Sequence, residues 1–305
     1  MSIVYYRDNK VEFAKTAVAL GTFDGLHIAH MKIIGKVKEY AALNNIACGV
    51  HTFTDIPARV MGNHSSTRLI SNNDKVKLLS HMDFVYVETF DEKFYNMSPD
   101  EFVLYLRNTL NAEAVAAGYN YRFGKNAKGD IKLLESLCSK QGIKVFVIDK
   151  TDMDGDSVSS SRIRKLISDG EVKKAAHLLN RPYFMSGIVE NGFQNGRQMG
   201  FPTANLSYEN DMTIPKTGVY MGFCRVDSKR KKAVINVGDN PTFKGTQTKI
   251  ECHLLDFDAD VYGREMTVEF IDYIREEICF SSKELLMEQI KKDIKFAERE
   301  LNLYE

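Results

Sequence analysis

The chain has 305 residues, 44% of them hydrophobic and 27% charged, with 41 basic and 41 acidic side chains. That length exceeds one ordinary domain, and balanced charge supplies no global field toward nucleic acid or a membrane surface. Five scattered cysteines without a CxxC pair argue against a disulfide framework or a zinc site, and no apolar run reaches transmembrane length. A cytoplasmic protein with no nucleic-acid or membrane partner is therefore expected. In chain order, the first half alternates between strand-like and helix-like segments. Thr16 to Leu20 reads as a buried strand, Ile28 to Leu43 as a helix, Ile46 to Phe53 as a strand, Asn72 to His81 as a helix and Phe84 to Val87 as a strand. Ser98, with Pro99 at the first helical position, starts a helix to about Leu110. Ala114 to Ala117 is strand-like, Asp130 caps a helix to about Lys140, and Lys144 to Ile148 is again a strand. Such spacing implies βαβ units and a mostly parallel sheet.

Ser159 to Leu179 is helical, broken at Asp169-Gly170, and after Pro182 the texture changes. Tyr183 to Val189, Gly218 to Val226, Ala233 to Val237, Lys249 to Leu255 and Met266 to Tyr273 are strand-like, with turns between them. These five strands suggest an antiparallel barrel or sandwich. One amphipathic helix ends the chain. A capping box of Ser281 and Glu284 opens it, and Leu286, Ile290, Ile294, Ala297 and Leu301 form its buried stripe.

GTFDGLHIAH, Gly21 to His30, falls where the first strand turns into the first helix. His27 and His30 share a face of the first helical turn, where free backbone N–H groups and the helix dipole favour an anion. Imidazoles there suit triphosphate oxygens. The alternatives are a metal pair, which lacks a third ligand at suggestive spacing, or two plain surface histidines. GYNYRFG (Gly118 to Gly124) follows a strand and offers Asn120, Arg122 and Lys125 for polar contacts; otherwise it is a turn whose aromatics pack on the core. SSSRIRK (Ser159 to Lys165) opens a helix with three hydroxyls and two arginines, as an anion cradle or as an over-supplied N-cap.

In the second half, GRQMGFPTAN (Gly196 to Asn205) has neither helical nor strand periodicity. Its glycines permit positive φ and close backbone approach, its Arg can hold phosphate, and Thr203 and Asn205 can offer oxygens to Mg²⁺. In IECHLLDF, Glu251 and His253 alternate with Cys252 and Leu254, so in a strand they share a face. A phosphate attacking the α-phosphorus of ATP is already an anion and needs no base. An alcohol must lose a proton as it attacks, and Glu251 is the candidate base, unless it is an ordinary solvent-facing acid.

With NPTF (Asn240 to Phe243) and FSSKELLMEQIKKDI added, the chain resembles the prokaryotic bifunctional riboflavin kinase/FMN adenylyltransferases, or FAD synthetases, over essentially its full length. The resemblance implies an α/β nucleotidyltransferase-type parallel sheet, Rossmann-like, over residues 1–181. An antiparallel β-barrel kinase domain with a C-terminal helix would follow over 182–305. The first would join FMN to ATP, giving FAD and pyrophosphate; the second would phosphorylate the 5′-hydroxyl of riboflavin. Gly21, Phe23, Asp24, His27, His30, Asn120, Ser160, Ser161, Arg162 and Arg164 would then bind nucleotide in the first domain, the histidines catalytically. In the second, Gly196, Arg197, Gly200 and Pro202 would bind nucleotide, Thr203 and Asn205 would hold Mg²⁺, Glu251 would be the base and Arg275 would touch flavin. Partners would be small molecules, and self-association is compatible with this reading.

The chain departs from the family pattern where Ala29 replaces a glycine between the histidines and where Phe53-Thr54-Asp55-Ile56-Pro57 stands for Phe-x-Pro-His-Pro, with Ile56 at the expected histidine. Asn191 to Asn195 is also less glycine-rich than the pattern. Ala29, Asp55 and Ile56 motivate one alternative, a one-activity paralogue; a second, a non-catalytic flavin-binding regulator, is opposed by the retained Thr203, Asn205, Glu251 and both histidines.

Overall fold

The computed structural model describes residues 2–62, 66–190, 200–227, 229–238 and 248–304. By internal packing the chain falls into two compact units, Met1–Arg68 with Asn72–Ser160, and Leu69–Ser71 with Ser161–Glu305.

The first unit runs β1 (Ile3–Tyr6), β2 (Thr16–Leu20), α1 (Ile28–Asn44), β3 (Ala47–Phe53), α2 (Pro57–Val60) and α3 (Asn72–Leu78). It continues with β4 (Phe84–Glu88), α4 (Glu92–Tyr95), α5 (Pro99–Asn108), β5 (Ala112–Gly118), α6 (Ile131–Lys140) and β6 (Lys144–Ile148), then a small hairpin of β7 (Asp152–Met153) and β8 (Asp156–Ser157). The six-stranded sheet has the order β1-β4-β3-β2-β5-β6, and all its pairs are parallel. Every position of β2 and β4 is buried, as strands covered on both faces require. The chain moves from β2 to β3 on one side and later enters β5 on the other, so the sheet's switch point lies beyond the carboxyl ends of β2 and β5. The expected helix starts are present. Ser98 and Glu101 form a reciprocal capping box, and Asp130 accepts from Leu133 N at 2.9 Å. The edge strand β1 was not expected; it is short and half-exposed, with little pattern to betray it.

Behind the sheet, His51 on β3 is fully buried, against the rings of Phe53, Tyr86, Phe94, Phe102 and Tyr105. Its ring nitrogens have no hydrogen-bond partner among the described residues, and burial lowers its pKa to about 3. Below an unfolded value of about 6.5, the unfolded chain takes up a proton that the folded core refuses, so stability falls with pH at about 1.4 kcal/mol per unit. The loss from this residue between pH 7 and pH 5 is about 2 kcal/mol, and it continues until the folded form also protonates. Urea unfolding at both pH values should show that loss in the wild type and its absence in His51→Leu. Equal losses in the two proteins would refute the assignment.

Helix α7 (Ser160–Ser168), whose first residue belongs to the first unit, and α8 (Val172–Leu179) are separated at Gly170, which has φ 84°, and the rest of the second unit follows. The strands β9 (Tyr183–Glu190), β10 (Ala204–Ser207), β11 (Gly218–Val226), β12 (Lys229–Gly238), β13 (Lys249–Leu254) and β14 (Glu265–Arg275) follow. They close into an antiparallel barrel in the order β10-β13-β12-β11-β14-β9. The sixth strand, β10, corrects the aperiodic reading of the segment ending at Asn205. Pairing begins only at Ala204, after Pro202, so the strand lies half beyond the motif that was read.

The C-terminal helix, α9 (Lys283–Leu301), packs on the outside of the barrel, where Ala297 and Leu301 join Met221, Phe223 and Ile271 in a small apolar cluster. Its cap is Ser282, one residue later than expected. Ser282 is extended (φ −146°, ψ 161°) and its hydroxyl accepts from Leu285 N at 3.3 Å. Ala297 and Leu301 are buried as the stripe predicts, but so is Asp293, which apolar periodicity passes over.

Candidate functional site

In the first unit, the loop from β2 to α1 has three unusual backbone positions within four residues. Phe23 (φ 51°), Gly25 (φ 84°) and Leu26 (φ 46°) all occupy the left-handed region. Two of these are not glycine, so packing must hold them there, a pattern that concentrates at functional loops. Phe23 is fully buried and meets His30 edge-on at 5.3 Å, while the Gly21 backbone passes over the Phe23 ring. Asp24 is 5% exposed, and its carbonyl accepts from Ser160 Oγ at 2.9 Å.

His27 is the N-cap of α1 rather than a member of its first turn. Its Nδ1 accepts from His30 N at 3.3 Å. That bond leaves the ring proton on Nε2, so the ring's outer nitrogen is a donor. The two imidazoles stack, with centroids 3.5 Å apart and planes at 16°. Two ring donors and the free N–H groups of a helix start suit phosphate oxygens. Ala29 lies inside α1 and is not among the positive-φ residues, so its methyl brings no backbone strain.

Beyond β5, the Asn120 side chain folds back toward Gly118, at the strand end beside the loop that follows β2. Phe123 is in the core, packed on Phe102 and Tyr121. Phe123 and Tyr121 thus follow the aromatic-packing reading of GYNYRFG, whereas Tyr119 and Asn120 are exposed. Ser160 opens α7; Ser161, Arg162 and Arg164 continue along it, with Ile163 and Ile167 turned inward.

Sequence reasoning missed Lys75 on α3, which is 5% exposed and donates from Nζ to the Phe53 carbonyl at 2.7 Å. Burial lowers its pKa to about 8, against the attraction of Asp24. The available signal was a lysine four residues before the fully buried Leu79.

In the second unit, barrel register assembles the site. Asn205 pairs with Glu190 on one side and Glu251 on the other; Glu251 pairs with Asn236, Asn236 with Val219, and Val219 with Arg275. Paired positions share a face of a sheet, and here the alternate positions, Ala204, Cys252 and Ile235, fill the barrel interior. Residues from all six strands thus form a continuous outward row.

Thr203, Asn236, Glu251, Arg275 and Asp293 open on a cavity of about 330 Å³ between the barrel wall and α9. Phe201, Val219, Val234, Ile278, Phe280, Leu286 and Ile290 supply its apolar walls. A slot that is mostly apolar with a few polar groups suits a flat aromatic ligand carrying a polar tail. Burial raises the Glu251 pKa, and Lys249 opposes the shift. A carboxylate so shifted is a stronger proton acceptor, as a general base requires.

His253, on the same face as Glu251, donates from Nδ1 to the Pro202 carbonyl at 2.8 Å, and Phe201 meets its ring edge-on at 5.8 Å. These contacts fix the chain just before Thr203. Gly200 has φ 82°, a conformation that glycine adopts freely. Gly196 and Arg197, together with Asn191 to Asn195 and the NPTF motif (Asn240 to Phe243), lie outside the described residues. Among the described residues, no three His, Cys, Asp or Glu side chains cluster to hold a metal.

Comparison with known proteins bears directly on these two sites. The family model for FAD synthetase matches residues 9–162, and the model for riboflavin kinase matches residues 179–301. The chain is 36% identical to the bifunctional riboflavin kinase/FMN adenylyltransferase of Bacillus subtilis over 93% of its own length and 92% of that protein. It is 34% identical to the protein of the same name from Listeria monocytogenes, over 90% of this chain and 89% of that one.

The chain belongs to the bifunctional riboflavin kinase/FMN adenylyltransferase family. A solved structure from Streptococcus pneumoniae, named as a macrolide-efflux protein, superposes with a TM-score of 0.87 at 27% identity, covering 97% of this chain and 99% of that one. That name belongs to that protein. In this family member, no helix among the described residues is long and apolar enough to cross a membrane.

Proposed function

We propose that the two family reactions run at the two sites described, one in each half of the chain. The enzyme phosphorylates riboflavin to FMN and adenylylates FMN to FAD, with ATP as the second substrate of both reactions.

In the kinase half, Glu251 accepts the proton of the riboflavin 5′-hydroxyl as its oxygen attacks the γ-phosphorus and ADP leaves. The apolar walls and Arg275 hold the flavin, and Gly196, Arg197, Gly200 and Pro202 are assigned to nucleotide binding. Thr203 and Asn205 would hold Mg²⁺, which supplies charge neutralisation on phosphate oxygens. Their oxygen-only donor set fits a hard cation that keeps most of its shell for water and phosphate. The carrying observation is that Glu251 and Asn236, paired across two strands, open on the cavity with Thr203, while Asn205 sits opposite Glu251 in the barrel register.

In the adenylyltransferase half, an FMN phosphate oxygen attacks the α-phosphorus of ATP and pyrophosphate leaves. No base is needed, so the work is positioning and charge stabilisation. His27, His30, Asn120, Ser160, Ser161, Arg162 and Arg164 bind nucleotide, with Gly21, Phe23 and Asp24 shaping the loop. On chemistry we place the division at residues 1–181 and 182–305, which keeps the Ser/Arg start of α7 with the histidines. All five cysteines are free thiols, in keeping with a reducing cytoplasm. The proposed partners are the substrates and, on self-association, a second copy.

The direct test is product analysis with Mg²⁺ and ATP, starting separately from riboflavin and from FMN. FMN and then FAD should form from riboflavin, and FAD alone from FMN. Absence of FMN in the first incubation would overturn the kinase assignment.

A further inference from the structure

Asp293 is a carboxylate on the apolar stripe of α9, and it is 3% exposed. It accepts from Arg275 Nε at 3.1 Å on both oxygens, from Arg275 Nη2 at 2.7 Å, and from Gln289 Nε2 at 2.9 Å. Arg275 Nη1 donates to the Glu276 carbonyl at 2.9 Å. A guanidinium has five N–H donors in a rigid plane. Among the described residues, the Asp293 fork and the Glu276 carbonyl use three of them, leaving one N–H on each terminal nitrogen. Both Arg275 and Asp293 line the cavity that also contains Glu251.

A buried carboxylate–guanidinium pair seldom adds stability over apolar packing of the same volume. Helix α9 already docks through Ala297 and Leu301, so docking alone does not call for an acid at this position. What the pair does provide is direction, because two-point contact with Asp293 removes the rotational freedom of the Arg275 head.

We propose that Asp293 is a positioning residue of the kinase site, which holds the Arg275 guanidinium so that its two remaining N–H groups meet acceptors on the bound flavin. The inference rests on the reading of Arg275 as a flavin contact. It ties flavin affinity to the C-terminal helix, since Asp293 and its supporting Gln289 both lie there. Asp293 itself acts only through Arg275.

The test measures KM for riboflavin and kcat for FMN formation on the full chain for Arg275→Gln, Asp293→Asn and the double variant. Each single change should raise KM about ten-fold, the scale of one lost charged hydrogen-bonding contact, with kcat within about three-fold. The double variant should be no worse than the poorer single one, because Asp293 has nothing to orient once Arg275 is gone. If Asp293→Asn leaves KM unchanged while Arg275→Gln raises it, the positioning role falls and the flavin contact survives. If the two effects multiply, Asp293 acts independently and the inference is overturned. If Arg275→Gln has no effect on KM, the flavin contact fails and takes the inference with it. Should Asp293→Asn unfold, Gln289→Met replaces it in the same cycle: a smaller rise in KM that disappears in the Arg275→Gln background supports the inference, and a rise that persists there overturns it.

Discussion

Glu251→Gln lowers the rate of FMN formation from riboflavin by about 10²–10⁴-fold, the usual worth of a positioned general base. The substitution preserves size and removes only the ability to take a proton. Its neighbours across the barrel wall, Asn205 and Asn236, are neutral amides, so no buried ion pair is broken, and folding and riboflavin affinity should be close to unchanged. The effect therefore falls on kcat, with KM for riboflavin within about three-fold. Conversion of added FMN to FAD should continue at the wild-type rate, because a phosphate nucleophile carries no proton to remove. Parallel loss of both products would show that one site serves both reactions. The pH dependence supplies a second check. Burial raises the Glu251 pKa, and the base must be ionised, so kcat/KM for riboflavin should fall on the acid side at a pH above that of an ordinary glutamate.

The double change His27→Ala, His30→Ala should have the opposite specificity. FAD formation from FMN falls by about 10²–10³-fold or more, the scale reported for removing one preorganised donor from developing charge. FMN formation from riboflavin is retained. His27→Ala also deletes the N-cap of α1, at a cost of about 0.5–2 kcal/mol. His27→Asn separates the two roles, since its amide oxygen can cap the helix while the ring donor is lost. If His27→Asn forms FAD at the wild-type rate, His27 is only a cap. If it is as slow as His27→Ala with normal thermal stability, the ring itself serves the reaction.

Much of this arrangement is readable from residue order alone. Period-two and period-3.6 apolar patterns locate nearly every strand and helix, because long elements repeat their signal. The motif residues stand out because glycine, histidine and asparagine in a loop after a strand have little packing purpose. Short elements were lost: β1 has four residues at a sheet edge, and β10 begins within a turn-like Pro-Thr-Ala-Asn run. The cap of α9 was misplaced by one residue because Ser281 and Ser282 offer equivalent hydroxyls, and only backbone geometry chooses between them.

What a linear pattern could not carry is pairing at a distance. Asn205 and Glu251 are far apart in the chain yet opposite each other across two strands. Asp293 and Lys75 were hidden for a related reason. Each is a charged residue at a position where helical periodicity asks for an apolar one, and its purpose is visible only with its partner in place.

The closed barrel has a bearing on how this enzyme can change over time. In the row through Asn205, Glu251, Asn236, Val219 and Arg275, neighbouring positions on each strand point the opposite way. Inserting or deleting a single residue within β13 would turn Glu251 inward and bring Cys252 or Ile250 out to the cavity. Closure leaves no free edge along which a strand could slide to restore the order. Length variation in such a barrel is therefore confined to its connecting loops, or to bulges that reset the phase. Homologous chains can drift widely in sequence while strand lengths between these residues stay fixed in parity.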